Sequence, residues 1–151
     1  MAKKKGRSSR NKHVAIVVAI VYIADCNVGF FRAFYRARGE ASGDCTLVKV
    51  GDTEVLIDAG PTQGNAAAIK EYLTTYCTDG TLEYVIATHA DTDHIAGFVG
   101  TKQSGAYNGI LYSYKIGTII SFDRTNKEKQ TSSGNPTLYT RYVEAVEYAQ
   151  N

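Results

Sequence analysis

The middle third of the chain constrains the fold most, because strand, turn and helix signals follow one another in it without interruption. Gly51 and Asp52 separate two short segments rich in β-branched residues, which is typical of a two-residue β-hairpin. Farther on, apolar side chains recur every three to four residues, which indicates a helix with one buried face. The predicted elements are a hairpin (45–50 and 53–58), a helix (66–76) and a short buried strand (82–87). This order predicts an α/β layered fold.

The flanking segments give weaker signals. Residues 33–37 could form one more strand, and apolar residues at helical spacing predict a helix over residues 138–150. Residues 101–117 are rich in Gly, Ser and Tyr, and residues 124–136 are polar. We expect both of these segments to be loops.

The charge is unevenly distributed along the 151 residues, a length that suits about one domain. Six of the 17 basic residues lie in residues 1–13, which contain no acidic residue, and the remainder of the chain is mildly acidic. We interpret residues 1–13 as a solvated polybasic tail. A globally basic nucleic-acid-binding surface is not supported.

An apolar run follows the tail. Residues 14–24 carry no charge, and extending the run to residue 31 requires burying Asp25 and Asn27. The run is too short for a membrane-spanning helix, yet a basic region before an apolar segment is the layout of an export signal. Residues 14–31 are therefore an export signal or membrane anchor, or else a buried strand of the core. We favour the first two interpretations, which would place a bacterial protein outside the cytoplasm or on its membrane. A membrane, bound through the N-terminus, is then a possible partner.

The three cysteines, Cys26, Cys45 and Cys77, lie far apart in the sequence and form no CxxC pair. An odd, scattered set argues against a disulfide framework. We expect them to be small buried apolar side chains.

The residues with the clearest chemistry follow the predicted strand 82–87. Two histidines and two aspartates, His89, Asp91, Asp93 and His94, fall within six residues. In an extended segment alternate side chains point the same way, so the first three would converge while His94 faces a second ion. Imidazole and carboxylate are ligands for Zn²⁺, Mn²⁺ or Fe²⁺. A polar loop that caps the next helix explains only one of the four, for example Asp93.

These residues also carry a family resemblance. Residues 89–94 (HADTDH) resemble the HxHxDH signature of the metallo-β-lactamase fold, with Asp91 in place of the middle histidine. Upstream, residues 43–46 (GDCT) and 55–60 (VLIDAG) resemble the opening hairpin of that fold and the turn after it. The HxDxDH variant is most similar to the ComEC-type hydrolase domain of competence DNA-internalisation proteins and its soluble relatives. The resemblance covers residues 34–100 well.

The resemblance implies a partial domain over residues 32–151. The fold would be α/β (α+β by some schemes), a metallo-β-lactamase αββα sandwich of which this chain holds the N-terminal half only. The family completes its site with a later histidine, a bridging aspartate and a final histidine, but no histidine follows His94. The only later aspartate is Asp123, which is too close to the motif to bridge two ions. We assign Asp123 to a strand end.

The resemblance also assigns roles within the motif. His89 and Asp91 would bind a first metal ion, and Asp93 and His94 a second. Asp93 would in addition orient the attacking water, which makes it the catalytic residue. Asp58 would lie beneath the cluster as an acceptor for a ligand imidazole. Two divalent ions, Zn²⁺ or Mn²⁺, are the expected cofactors.

The function implied is hydrolysis by a metal-bound hydroxide, with phosphodiesters as the substrate class. A carboxylate at position 91 adds a hard oxygen ligand, which favours Mn²⁺ or Mg²⁺ over Zn²⁺. A nucleic acid or another phosphodiester is thus a possible partner, and no protein partner is inferred. Lys127 and Lys129 could meet phosphates, although a solvated charged loop is the simpler explanation.

Two other functions stay open. One is a hydrolase of β-lactams, thioesters or small esters, since the fold supports many chemistries. The other is a non-catalytic remnant or binding module, which the missing downstream ligands favour.

Overall fold

A computed structural model describes residues 30–34, 43–123 and 125–151, with residues 30–34 described by their strand pairing alone. The polybasic tail and Cys26 lie outside the described residues. Of the apolar segment 14–31, only the last two residues are described. The predictions for the tail and the segment therefore stay predictions. No helix within the described part of the chain combines the length and the apolar character needed to cross a bilayer.

The described elements alternate strands and helices. The strands are β1 (Phe30–Phe34), β2 (Thr46–Val50), β3 (Thr53–Ile57), β4 (Thr81–Ile86), β5 (Lys102–Gln103), β6 (Ala106–Tyr107) and β7 (Lys115–Ile120). The helices are α1 (Asn65–Leu73), α2 (Thr92–Val99), α3 (Ile110–Ser113) and α4 (Leu138–Ala149).

Five of the strands form one mixed sheet in the order β1-β2-β3-β4-β7, and β5 pairs with β6. Strands β1, β2 and β3 are antiparallel to one another, whereas β3, β4 and β7 run parallel. Leu56 of β3 is opposite Val85 of β4, which is in turn opposite Ile119 of β7. The carboxyl ends of three parallel strands therefore meet at one edge, the edge at which α/β sheets place their sites.

Helix α2 is the centre of the helical packing, because it contacts α1, α3 and α4. Its residues Ile95, Phe98 and Val99 are completely buried. Burying a side chain of this size contributes about 1.5–3 kcal/mol, so α2 is held firmly in the core. The backbone of Asp93 and His94, in the first turn of α2, is therefore held in place as well.

Most elements predicted from the sequence are confirmed. The hairpin closes at Gly51, whose φ of 58° is the left-handed conformation that such a turn requires. The helix predicted over 66–76 is α1, which ends earlier, at Leu73. The strand predicted over 82–87 is β4, and the helix over 138–150 is α4. Cys45 and Cys77 are buried and free, as expected.

Two predictions need correction. Residues 101–117 are not a loop: they contain β5, β6, α3 and the first half of β7. Gly117 interrupts the sequence pattern of β7, so the strand was not predicted. The structure requires glycine there, because a Cβ would come within 2.7 Å of the Glu83 carbonyl oxygen on the neighbouring strand. The strand predicted over 33–37 begins earlier, at Phe30, and residues 35–37 lie outside the described part.

Candidate metal centre

The motif residues lie where the chain passes from β4 into α2. Asp91 is the N-cap residue of α2 and has extended backbone angles, while Asp93 and His94 occupy the first helical turn. The extended course expected for residues 89–94 therefore holds only as far as Asp91. Beyond it the side-chain period changes from 2 to 3.6 residues, so a different set of side chains converges.

Three stretches of the sequence, around Asp44, Ala59 and Asp93, are hydrogen-bonded to one another at this point. The backbone N–H of Asp44 donates to the Asp93 carbonyl at 3.2 Å, and the N–H of Ala59 donates to the His94 carbonyl at 2.8 Å. In return, the N–H of Gly97 donates to the Ala59 carbonyl at 3.1 Å. A Cβ at Gly97 would lie 2.0 Å from that same carbonyl oxygen, so only glycine allows this approach. The first turn of α2 is thereby fixed against the turn that follows β3.

The side chains that converge are His89, Asp93 and His94. One potential ligand atom from each lies within 4.8 Å of the others, and the Asp93 Oδ2 to His94 Nε2 distance is 3.6 Å. The two imidazole rings are tilted against each other with centroids 3.7 Å apart. Ligand atoms around a tetrahedral Zn²⁺ lie about 3.3 Å from one another, so the group approximates a coordination shell.

Exposure differs across this group. The His94 side chain is 12% exposed, whereas those of His89 and Asp93 are 46% and 48% exposed. The group is therefore anchored in the protein on the His94 side and open to water and substrate on the other.

Asp58 and Thr88 determine which nitrogen of each imidazole carries the proton. The Thr88 hydroxyl donates to Asp58 Oδ2 at 2.7 Å and lies 2.9 Å from His89 Nδ1. A hydroxyl has a single proton, so it accepts from His89, whose proton is then on Nδ1. His94 Nδ1 donates to Asp58 Oδ2 at 2.8 Å. Both imidazoles thus keep the Nε2 lone pair available for a metal ion.

Asp58 is itself held in an unusual conformation. It is 3% exposed and has a φ of 58°, in the left-handed region that few residues other than glycine adopt. Its Oδ1 accepts the backbone N–H of Thr88 at 2.8 Å, and its own N–H donates to the Ile86 carbonyl at 2.8 Å. Strained backbone of this kind concentrates at functional sites.

Asp91 contacts Lys127 and also lies close to His89. Its Oδ1 is 2.7 Å from the Lys127 ammonium, and its Oδ2 is 3.5 Å from His89 Nε2. The hydrogen bond from Lys127 lowers the pKa of the Asp91 carboxyl below its ordinary value. Asp91 is not one of the three converging residues, and its role as a ligand stays a prediction.

Lys127 also lines an open groove of about 590 Å³ beside the centre. The groove residues are Lys127, Glu128, Lys129, Gln130, Pro136 and Thr140. Asp123 follows the end of β7 and is not among the converging residues.

Sequence reasoning missed the role of Thr88 and the partner of Lys127. Thr88 directly precedes the motif, so its position could have marked it as part of the site. Its hydrogen bonds to Asp58 could not be predicted, because they depend on the parallel pairing of β3 with β4. The contact of Lys127 with Asp91 left no signal in the sequence.

The donor set fits a divalent metal ion. Two imidazole nitrogens with free lone pairs and one carboxylate are a typical ligand set for Zn²⁺ and its neighbours in the first transition row. The buried acceptor behind His94 is the kind of support that metal-bound histidines have.

The comparisons with known proteins agree with this chemistry. A family model described as the metallo-β-lactamase superfamily matches residues 38–143, a range that includes every residue of the centre. Members of that superfamily generally bind divalent metals. Neither the curated proteins nor the solved structures gave a match.

Proposed function

Because the chain belongs to the metallo-β-lactamase superfamily, we propose that it is a metal-dependent hydrolase whose substrates are phosphodiesters. The observation that supports this most directly is the convergence of His89, Asp93 and His94, with both imidazoles presenting Nε2. Metal-dependent hydrolysis follows from the family together with this group. The substrate class is the part of the proposal that rests on the surroundings of the centre.

In this proposal His89, Asp93 and His94 hold the ion. When bound, a divalent ion lowers the pKa of a water ligand from 15.7 towards ~7 and stabilises negative charge that builds on the substrate. Asp93 has a second carboxylate oxygen, which accepts a hydrogen bond from the attacking water and orients it. Asp58 and Thr88 keep the two imidazoles in the required tautomer throughout the reaction.

The groove beside the centre supports an anionic substrate. Lys127 and Lys129 line it together with Glu128, and the Lys127 ammonium also lies 2.7 Å from Asp91 Oδ1. In this proposal the two lysines bind the negative charge of a phosphodiester. The resemblance to ComEC-type domains favours a nucleic acid within this class. Location outside the cytoplasm, membrane attachment and an N-terminal-half domain stay predictions.

The test compares substrates on one protein preparation. Metal-loaded protein should hydrolyse bis(p-nitrophenyl) phosphate and single-stranded DNA, and chelation or His94→Ala should abolish both activities. Asp52→Asn is the control, since Asp52 is exposed in the β2–β3 turn. Hydrolysis of nitrocefin or a thioester in place of phosphodiesters would instead support a hydrolase of β-lactams, thioesters or small esters. No turnover of any substrate would favour the remnant or binding module.

The metal preference is tested in the same assay. We expect Mn²⁺ to support phosphodiester cleavage, because the site offers carboxylate as well as imidazole ligands. Activity that is highest with Zn²⁺ and absent with Mn²⁺ would contradict this part of the proposal.

A further inference from the structure

We propose that Phe122 and Tyr139 form a base-stacking subsite next to the metal centre, and that the substrate is a single-stranded nucleic acid with an unpaired base against these two rings. This inference rests on the proposed function and deepens it, because it names the part of the substrate that is not phosphate. It assigns a function to two aromatic side chains that the proposed hydrolysis does not use.

The first argument is the position of Phe122 at the edge of the sheet that carries the centre. Ile120, the last residue of β7, is opposite Ile86 of β4, and its carbonyl accepts the N–H of Ala87 at 2.9 Å. The two parallel strands therefore end side by side. Phe122 follows β7 at the same edge at which Thr88 and the motif follow β4.

The second argument is the position of Tyr139 in the first turn of α4. The next residue, Thr140, lines the groove, and its hydroxyl donates to the Lys129 carbonyl. The hydroxyl of Thr137, the N-cap residue of α4, donates to the Glu128 carbonyl at 2.7 Å. These two hydrogen bonds join the segment that carries the lysines to the start of α4. The backbones of Lys129 and Tyr139 therefore keep a fixed relative position.

The third argument is the way in which the two rings are held. Their centroids are 6.2 Å apart, and Phe122 is stacked on Tyr142 at 5.6 Å with an angle of 26°. The Tyr142 ring in turn lies 6.0 Å from that of Phe98. Phe98 and Tyr142 are buried, whereas Phe122 and Tyr139 are only partly buried. The four-ring cluster is thus fixed at its inner end and offers ring surface at its outer end, so little conformational freedom is lost when a ligand stacks there.

The fourth argument is the combination of aromatic and basic groups. Every nucleobase has a π-face that stacks on aromatic side chains, and positively charged grooves follow the phosphate backbone of a single strand. Lys127 and Lys129 supply the charge in the groove, and Phe122 and Tyr139 supply the ring surface. A base inside a duplex is already stacked and paired, so the subsite takes a single strand.

The experiment measures the affinity of the full-length chain for two labelled single strands by fluorescence anisotropy, with a chelator added so that neither strand is cut. One strand is an oligothymidylate, and the other is an abasic strand with the same number of phosphates. The wild type should bind the oligothymidylate at least about fivefold more tightly than the abasic strand. Tyr139→Leu and Phe122→Leu keep an apolar side chain and remove the π-face. Both variants should lose this preference and keep the affinity for the abasic strand.

Two further variants are the controls. Tyr148→Leu makes the same exchange at a tyrosine that is 60% exposed near the other end of α4, and it should keep the preference. Tyr139→Phe keeps the ring and should also keep the preference. Thermal melts establish that each variant is folded.

Each outcome decides between the claims. Equal affinity of the wild type for the two strands, an unchanged preference in Tyr139→Leu, or an equal loss in Tyr148→Leu overturns the inference. Hydrolysis by the metal-loaded protein is measured separately, so cleavage of phosphodiesters without a preference for bases overturns the inference and leaves the proposed function in place. A preference for bases without hydrolysis supports the subsite and overturns the proposed function, which leaves a nucleic-acid-binding module.

Discussion

Replacing Asp58 by asparagine tests how the centre sets the proton on His94. The exchange keeps the size of a side chain that is 3% exposed and turns one acceptor oxygen into an NH₂ donor. The backbone N–H of Thr88, 2.8 Å from Asp58 Oδ1, can only donate, so the new amide oxygen must face it. The NH₂ group then faces both His94 Nδ1 and the Thr88 hydroxyl, which must turn its own proton away. His94 has to accept at Nδ1 and carry its proton on Nε2, the atom that is 3.6 Å from Asp93.

The expected size of the effect follows from this change of tautomer. A proton on Nε2 must be moved before His94 can bind an ion, so affinity should fall by about 10–100-fold, or about 1.4–2.7 kcal/mol. The free energy of unfolding should fall by only about 1–3 kcal/mol, because the shape of the core is kept and few hydrogen bonds change. Asp58→Ala, which removes every acceptor, should cost more stability than Asp58→Asn.

Affinity is measured by competition for Zn²⁺ with a chromophoric chelator, and the tautomer by ¹⁵N NMR of the imidazoles. Asp52→Asn provides the control for the same chemical change at an exposed site. Wild-type affinity in Asp58→Asn, or a His94 proton that stays on Nδ1, would refute the reasoning.

Three further outcomes are expected. Gly97→Ala should lower the free energy of unfolding by about 1–3 kcal/mol, because its Cβ would lie 2.0 Å from the Ala59 carbonyl oxygen. Gly64→Ala is the control and should cost little, since the nearest atom to its Cβ is 3.7 Å away. Equal urea midpoints for the two variants would contradict this. Burial raises the pKa of the Cys45 and Cys77 thiols from 9.0 to about 12, so the unfolded chain loses these protons first and stability should decline from pH 9 towards pH 12. A pH-independent unfolding free energy over that range would argue against buried thiols. Tyr142→Phe removes the hydroxyl of a buried ring, which forms a 2.9 Å hydrogen bond with the exposed Ser121, and should cost about 1 kcal/mol, read from thermal melts. An unchanged melting temperature would mean that this bond contributes nothing.

Much of the fold was readable from the sequence because its signals are local. A two-residue turn with Gly51, the 3.6-residue period of α1 and the apolar run of β4 each depend on neighbours only a few positions away. The cluster at 89–94 was readable for the same reason, since its four ionisable side chains lie within six residues. Residues 101–117 were misread because Gly117 interrupts the alternation that marks a strand, and only pairing with β4 makes the segment β7.

The sequence by itself therefore determined the α/β class, the hairpin and the six-residue segment, 89–94, that supplies the candidate metal ligands. The tertiary structure alone decided how those residues are divided. It ended the extended segment at Asp91, brought Asp58 under Thr88 and His94 through the pairing of β3 with β4, and placed Lys127 against Asp91. The physical reason is that a metal-binding side chain must point at the ion, carry its proton on the correct nitrogen and have its charge balanced. All three conditions are set by contacts between residues far apart in the chain.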